Sequence, residues 1–140
     1  MKSAVDTNVL VALWDTDDAL NRIALSAFDR AQRLGGLVVS GAVYAELLAL
    51  PERSEEFLDQ FFLETGMQLD WKLDEKVWRT AGRAFQSYAQ RRSRQSASAP
   101  RRILADFLIG AHAVCHGHQL LTLDDRLYRA AFPELNLIRI

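Results

Sequence analysis

One cysteine, Cys115, is too few for an internal disulfide or a multi-cysteine zinc site, which leaves it the role of a small buried hydrophobe. Glycine and proline are sparse, and no glycine-rich loop follows an apolar run, so Walker-type nucleotide binding is disfavoured. Uncharged stretches fall well short of the roughly 20 residues of a membrane span. Asp6 interrupts the opening apolar segment too early for a signal peptide, so a cytoplasmic chain is expected. Charge of one sign is also missing, since the net value is −1, which is unpromising for a nucleic-acid binder. Its distribution matters more than its sum: Arg91, Arg92, Arg94, Arg101 and Arg102 fall within twelve residues. With 140 residues, 49% of them apolar, the chain is read as one domain over residues 1–140 that buries roughly two-thirds of its unfolded surface. No internal repeat is visible.

What is present is an alternation of short apolar runs with helical patterns. Ser3-Ala4-Val5 reads as a strand, Asp6-Thr7-Asn8 as a polar turn, and the run from Val9 to Trp14 as a helix. Asp17 to Arg33 is amphipathic, with Ala24, Leu25, Phe28, Ala31 and Leu34 as its stripe and Gly35-Gly36 as its stop. Leu37 to Ser40 is a buried strand, Gly41 to Leu50 a helix, and Ser54 to Thr65 a further helix carrying Phe57, Leu58, Phe61 and Phe62. A weak strand follows near Met67 to Leu69. Asp74 caps a long helix with Val77, Trp78, Ala81, Phe85 and Tyr88 at helical spacing, and residues 91–102 read as a polar loop. Leu104 to His116 is a helix, Gln119 to Thr122 a strand, Asp125 to Ala131 a short helix, and Leu135 to Ile138 a final strand. The alternation implies a parallel sheet covered on both faces, with function at the carboxyl ends of its strands.

Four acids interrupt this apolar pattern. Glu46 is the only charge between Gly41 and Leu50, and Asp106 sits alone between Arg102 and His112 with no local partner in its flanks. Asp6 directly follows the first strand, and Asp124 follows the Leu120-Leu121-Thr122 strand. Burying bare carboxylates costs several kcal/mol on the order of their desolvation, and gathering them raises their pKa values unless a cation offsets the charge. Oxygen ligands with no partnering histidine or thiolate suit a hard ion such as Mg²⁺ or Mn²⁺. Such an ion lowers the pKa of water and offsets charge on a phosphodiester. Asp6, Asp106 and Asp124 are therefore candidate metal ligands, and Glu46 acts through water or as proton acceptor. Thr7, Asn8 and Thr122 are candidates to orient them. Asp125 is a second acid at the end of its strand, and counting from Thr122 favours Asp124, with the other as an N-cap or first-turn acid of the helix that follows. The bland readings are a turn residue for Asp6 and ion pairs to arginine for Glu46 and Asp106.

The segments AVDTNVLVAL, SGAVYAELL, ILADFLIGAHA and LLTLDDRLYRAAFPEL together resemble PIN-domain ribonucleases, most closely the VapC toxins of VapBC toxin–antitoxin pairs. The resemblance implies an α/β three-layer sandwich with a central, mostly parallel five-stranded sheet between helices. It places Asp6, Glu46, Asp106 and Asp124 on the family's acidic quartet. It also implies Mg²⁺- or Mn²⁺-dependent endonucleolytic cleavage of RNA, a cognate VapB-like antitoxin lying over the active site, and a homodimer. Arg101 and Arg102 stand ahead of the helix bearing Asp106, where they would hold RNA backbone, unless the arginine run is only a solvated connection. A PIN-like module that binds RNA or protein without cutting is the alternative. A phosphatase or phosphoacceptor domain would want an acid where Asn8 stands, and a catalytic lysine is not evident. His112 is expected to be packed or near substrate, and His116 and His118 to cap a helix end. The tryptophans and the Phe57, Phe61 and Phe62 set are expected in the core or at an interface.

Overall fold

A computed structural model describes residues 1–94 and 103–138; Arg101 and Arg102 lie outside the described residues. The elements run β1 (Ser3–Val5), α1 (Thr7–Trp14), α2 (Asn21–Gly35), β2 (Leu37–Ser40), α3 (Gly41–Leu48), α4 (Glu55–Thr65), β3 (Gln68–Asp70), α5 (Glu75–Ser93), α6 (Leu104–Cys115), β4 (Gln119–Leu121), α7 (Asp125–Ala131) and β5 (Leu137–Ile138). All five strands are parallel, in the order β3-β2-β1-β4-β5. The chain leaves β1 toward one edge through β2 and β3, then crosses back to lay β4 on the other side of β1. That reversal puts a switch point between the carboxyl ends of β1 and β4, where open parallel sheets form a crevice.

The strands read as continuous apolar runs because helices cover both faces of the sheet. Val5, Val38, Val39, Leu120 and Leu121 are all buried. Helix α2 packs through Ala24, Ala27 and Ala31, whose small side chains let its backbone approach the sheet, while Leu25 and Leu34 are exposed. Ala24, Phe28 and Ala31 of the expected stripe thus face the core, Leu25 and Leu34 do not, and Ala27 joins it. On α4, Leu58 and Phe62 enter the core, and Phe57 is exposed. Trp71 and Trp78 are exposed too, so of core and interface, the two places expected for them, the core is excluded, whereas Trp14 packs edge-on against Phe57 and Phe61 under the Arg53 guanidinium.

Helix α2 starts four residues later than the sequence pattern suggests. Asp18 accepts a hydrogen bond from the Leu20 N–H at 2.8 Å and holds the preceding segment as a turn. At the other end, Gly35 is the last helical residue, where a Cβ would clash with the Met1 carbonyl oxygen, and Gly36 turns the chain out at φ 90°. Helix α5 continues through Arg91 and Arg92 to Ser93, so these arginines are helical and not loop residues. Two basic groups in a last turn suit the negative end of the helix dipole. Asp74 caps the start of α5 by accepting from the Val77 N–H at 3.1 Å.

Candidate active site

Asp6 leaves β1 in extended geometry and caps α1: its Oδ1 accepts from the Thr7 N–H at 2.7 Å. Its Oδ2 accepts from the Thr122 hydroxyl at 2.8 Å, and its own N–H donates to the Leu121 carbonyl at 2.9 Å. The residue is therefore tied to β4 by both backbone and side chain. Thr122 in turn accepts from the Asp124 N–H at 3.0 Å, and Asn8 accepts from the Leu123 N–H at 3.1 Å. Asn8 Nδ2 reaches Thr122 only at 3.5 Å. Thr7, Asn8 and Thr122 thus sew the turn after β1 to the turn after β4. Of the three, Thr7 and Thr122 reach the acids directly, Thr7 by donating to Glu46 Oε1 at 2.6 Å.

Asp124 lines the cleft and also caps α7, accepting from the Leu127 N–H at 3.4 Å. Of the two places expected for the adjacent acid, N-cap or first turn of the helix, it takes the second. Asp125 is the first residue of α7, exposed, and pairs with Arg129 at 3.0 Å. Asp106 lies in the first turn of α6, where Ile103 has no side-chain acceptor to cap the helix. The carboxylate supplies the missing contact by accepting from the Ile103 N–H at 3.3 Å. Beside it, Phe107 is fully buried and stacks on Phe85 at 4.9 Å and lies against Tyr88 at 5.4 Å. Burying such a ring stabilises by roughly 2–3 kcal/mol and fixes the roll of α6, which turns Asp106 to the cleft.

Asp6, Thr7, Asn8, Glu46, Asp106 and Asp124 all line one open cleft of about 510 Å³ at the switch point, with Asp18 on its rim. Only Asp6 is truly buried; Glu46, Asp106 and Asp124 are partly exposed. Helices α3 and α6 bring Glu46 and Asp106 to the rim of the crevice and not into the core, which corrects the reading of both as buried carboxylates. Burial pushes the Asp6 carboxyl from 3.8 up to about 6, with hydrogen bonds from Thr122 and Thr7 opposing and the Asp106 charge adding. Glu46 is raised by burial, with Thr7 opposing and Asp106 adding.

Tyr128 was not singled out from sequence. It is fully buried behind Asp6, and its hydroxyl closes no hydrogen bond of ordinary geometry with a described residue, although it is near enough to Asp6 to act on that carboxyl. Burial, then the charges of Asp6 and Asp106, hold its phenol well above 10. A tyrosine on a short helix among arginines gives no sign in sequence that it will face an acid. The donor set here is all oxygen, and Asp6 and Glu46 in it are raised by burial and by the Asp106 charge, so its chemistry fits a hard divalent cation. The acids stand apart, however. Among the described residues, the only three His, Cys, Asp or Glu side chains with ligand atoms within 4.8 Å of one another are Asp70, His112 and His116. That group lies outside the residues lining the cleft. His112 is buried and packed as expected, and its Nε2 lies 2.9 Å from Asp70 Oδ2.

An all-parallel α/β sheet with carboxylates gathered over its switch point defines the class of domain. Residues 4–133 match the PIN domain family, and the chain belongs to that family. No curated protein matches the chain in sequence. Among solved structures it is similar to VapBC2 from Rickettsia felis bound to a DNA fragment from its promoter, at 18% identity and TM-score 0.70 over 99% of this chain and 98% of that chain. It is also similar to VapBC-1 from nontypeable Haemophilus influenzae, at 19% identity and TM-score 0.68 over 99% and 97% of the two chains. FitAcB from Neisseria gonorrhoeae matches at 19% identity and TM-score 0.64, over 98% and 96%. At such identities the likenesses establish the fold.

Proposed function

We propose that the chain is a single-domain, metal-dependent endoribonuclease of the PIN type that serves as the VapC-like toxin of a toxin–antitoxin pair. The observation that carries this reading is the arrival of Asp6, Glu46, Asp106 and Asp124, from four separate elements, on one cleft at the switch point. Four acids so placed repel a phosphodiester on their own, so a cleft of this composition is suited to RNA only with a cation among them. Mg²⁺ or Mn²⁺, held by Asp6, Asp106 and Asp124, would supply an acidified water and offset charge on the phosphate.

The chain's own residues do the rest. Thr7 and Thr122 fix the carboxylate planes of Glu46 and Asp6 through hydroxyl hydrogen bonds of 2.6 and 2.8 Å. Glu46, partly exposed and with its pKa raised by burial, is the group placed to take a proton from water at its free oxygen. Arg101 and Arg102 remain the expected phosphate contacts from sequence. Crystallised relatives bearing the VapBC name support a VapB-like antitoxin as partner, with a homodimer and a cytoplasmic setting as the corresponding expectations.

The test is cleavage of a panel of structured RNAs by the purified, antitoxin-free chain in Mg²⁺, Mn²⁺ or EDTA. Cleavage is expected to need the metal and to fall by roughly 10²-fold or more in Asp106→Asn. Metal binding at the cleft with no cleavage of total cellular RNA would overturn the nuclease reading in favour of a binding module.

A further inference from the structure

We propose that Asp70, His112 and His116 form a second metal site, separate from the acidic cleft and suited to a borderline divalent ion such as Zn²⁺. His112 in the last turn of α6 and His116 at its C-cap are four residues apart, and their ring centroids lie 4.7 Å from each other. Asp70, the last residue of β3, brings a carboxylate oxygen to 2.9 Å from His112 Nε2. The three ligand atoms lie within 4.8 Å of one another.

An ordinary histidine–aspartate hydrogen bond would account for His112 and Asp70 but not for the rest. The chain has three histidines, and His118 lies 5.8 Å from both of the other rings, so all of them gather at this one place. Clustered imidazoles cannot all carry a proton without mutual repulsion, and a metal ion is the cation that neutral imidazoles accept. His116 is also set as a ligand would be. Its Nδ1 lies 2.9 Å from the His112 carbonyl, which can only accept, so Nδ1 carries the proton and Nε2 presents its lone pair. Metal-binding histidines are ordinarily oriented by such a hydrogen bond from the other ring nitrogen to a carbonyl.

Two imidazoles and one carboxylate select Zn²⁺, Co²⁺ or Ni²⁺ over Mg²⁺, the reverse of the all-oxygen cleft. A fourth position is left for water or for His118. The ion would join the end of β3 to the last turn of α6, two elements far apart in sequence, so its expected effect is on stability.

The test uses the chain stripped with EDTA, returned to buffer containing Mg²⁺ to occupy the cleft, and titrated with Co²⁺ while visible absorption is followed, with Zn²⁺ as competitor. One Co²⁺ per chain, visible bands of low-symmetry coordination, displacement by Zn²⁺ and a raised melting temperature are expected. His116→Ala and Asp70→Asn should each weaken Co²⁺ binding by roughly tenfold or more, and Asp106→Asn should leave it unchanged. His116 is exposed, so its replacement opens no core, and a metal-free melt equal to the parent's confirms the fold. Absent binding, equal affinity in His116→Ala, or a loss confined to Asp106→Asn would each overturn the proposal.

Discussion

Asp6→Asn separates a poised metal site from an ordinary helix cap. Asp6 is 5% exposed, and its pKa rises from 3.8 to about 6 on folding, chiefly by burial. At about 1.4 kcal/mol for each tenfold change in proton affinity, ionising it in the metal-free fold costs about 3 kcal/mol. Because the folded pKa is the higher one, the stabilising contribution is complete below the unfolded value and is lost as pH rises through the folded value. The cost works out at about 1 kcal/mol near pH 4.5 and about 3 kcal/mol near pH 7.5. Asparagine removes the charge at every pH. Its Oδ1 can still accept from the Thr7 N–H, and its Nδ2 can donate to Thr122 Oγ1, so the exchange of hydrogen bonds costs about 1 kcal/mol independent of pH. The assay is urea unfolding of both proteins in EDTA at the two pH values. Relative to the parent, the variant should gain about 2 kcal/mol between near pH 4.5 and near pH 7.5. Millimolar Mg²⁺ should then stabilise the parent at the higher pH and leave the variant unmoved. Parallel pH dependences for the two proteins would refute the reasoning, since Asp6 would then ionise as it does in the unfolded chain.

Two further perturbations test neighbouring steps. Thr7→Val removes the hydroxyl that donates to Glu46 at 2.6 Å, so the Glu46 pKa should rise further and the acid limb of the cleavage profile should move to higher pH; a limb that stays in place would detach Glu46 from the rate. Gly110→Ala would set a Cβ 2.3 Å from the Phe132 ring, and the forced repacking should cost about 1–3 kcal/mol in urea unfolding despite alanine's better helix propensity, a stabilised variant refuting the close approach.

The alternation of elements, the parallel sheet and the four acids were legible in sequence because each rests on a local signal: apolar runs bounded by turn residues, and a charge where the pattern wants none. Longer-range features were not. Asn21 looked like one polar residue on an amphipathic helix, yet it is buried and donates to the Ala12 carbonyl at 2.8 Å and the Leu13 carbonyl at 3.2 Å. It closes the end of α1 from the start of α2, a role set by how two helices meet. Tyr128 behind Asp6, and Asp70 beside His112, are likewise pairings between elements 42 or more residues apart that no spacing rule encodes. Asp70 in particular read as the residue after a weak strand, and its partner is chosen by the register of β3 on β2, where Asp70 faces Ser40.

A cleft of carboxylates needs an account of how it survives folding without its ion. Asp6 caps α1, Asp106 sits in the first turn of α6, and Asp124 caps α7, so three of the four acids stand where a helix directs N–H groups and the positive end of its dipole. Each such placement stabilises a carboxylate by about 0.3–1 kcal/mol, enough to blunt the repulsion and too little to abolish it, since burial and the Asp106 charge still raise Asp6 and Glu46. The same helix, α6, carries His112 in its last turn and His116 as its C-cap, at the negative end of the dipole, which favours a cation. Its two ends therefore offer opposite fields, with oxygen ligands at the first and nitrogen ligands at the second. The remaining repulsion in the cleft is what a divalent ion would relieve. It also means that an RNA phosphate should bind the metal-free chain more weakly than the loaded one, with the difference shrinking in Asp6→Asn, where one of the repelling charges is gone.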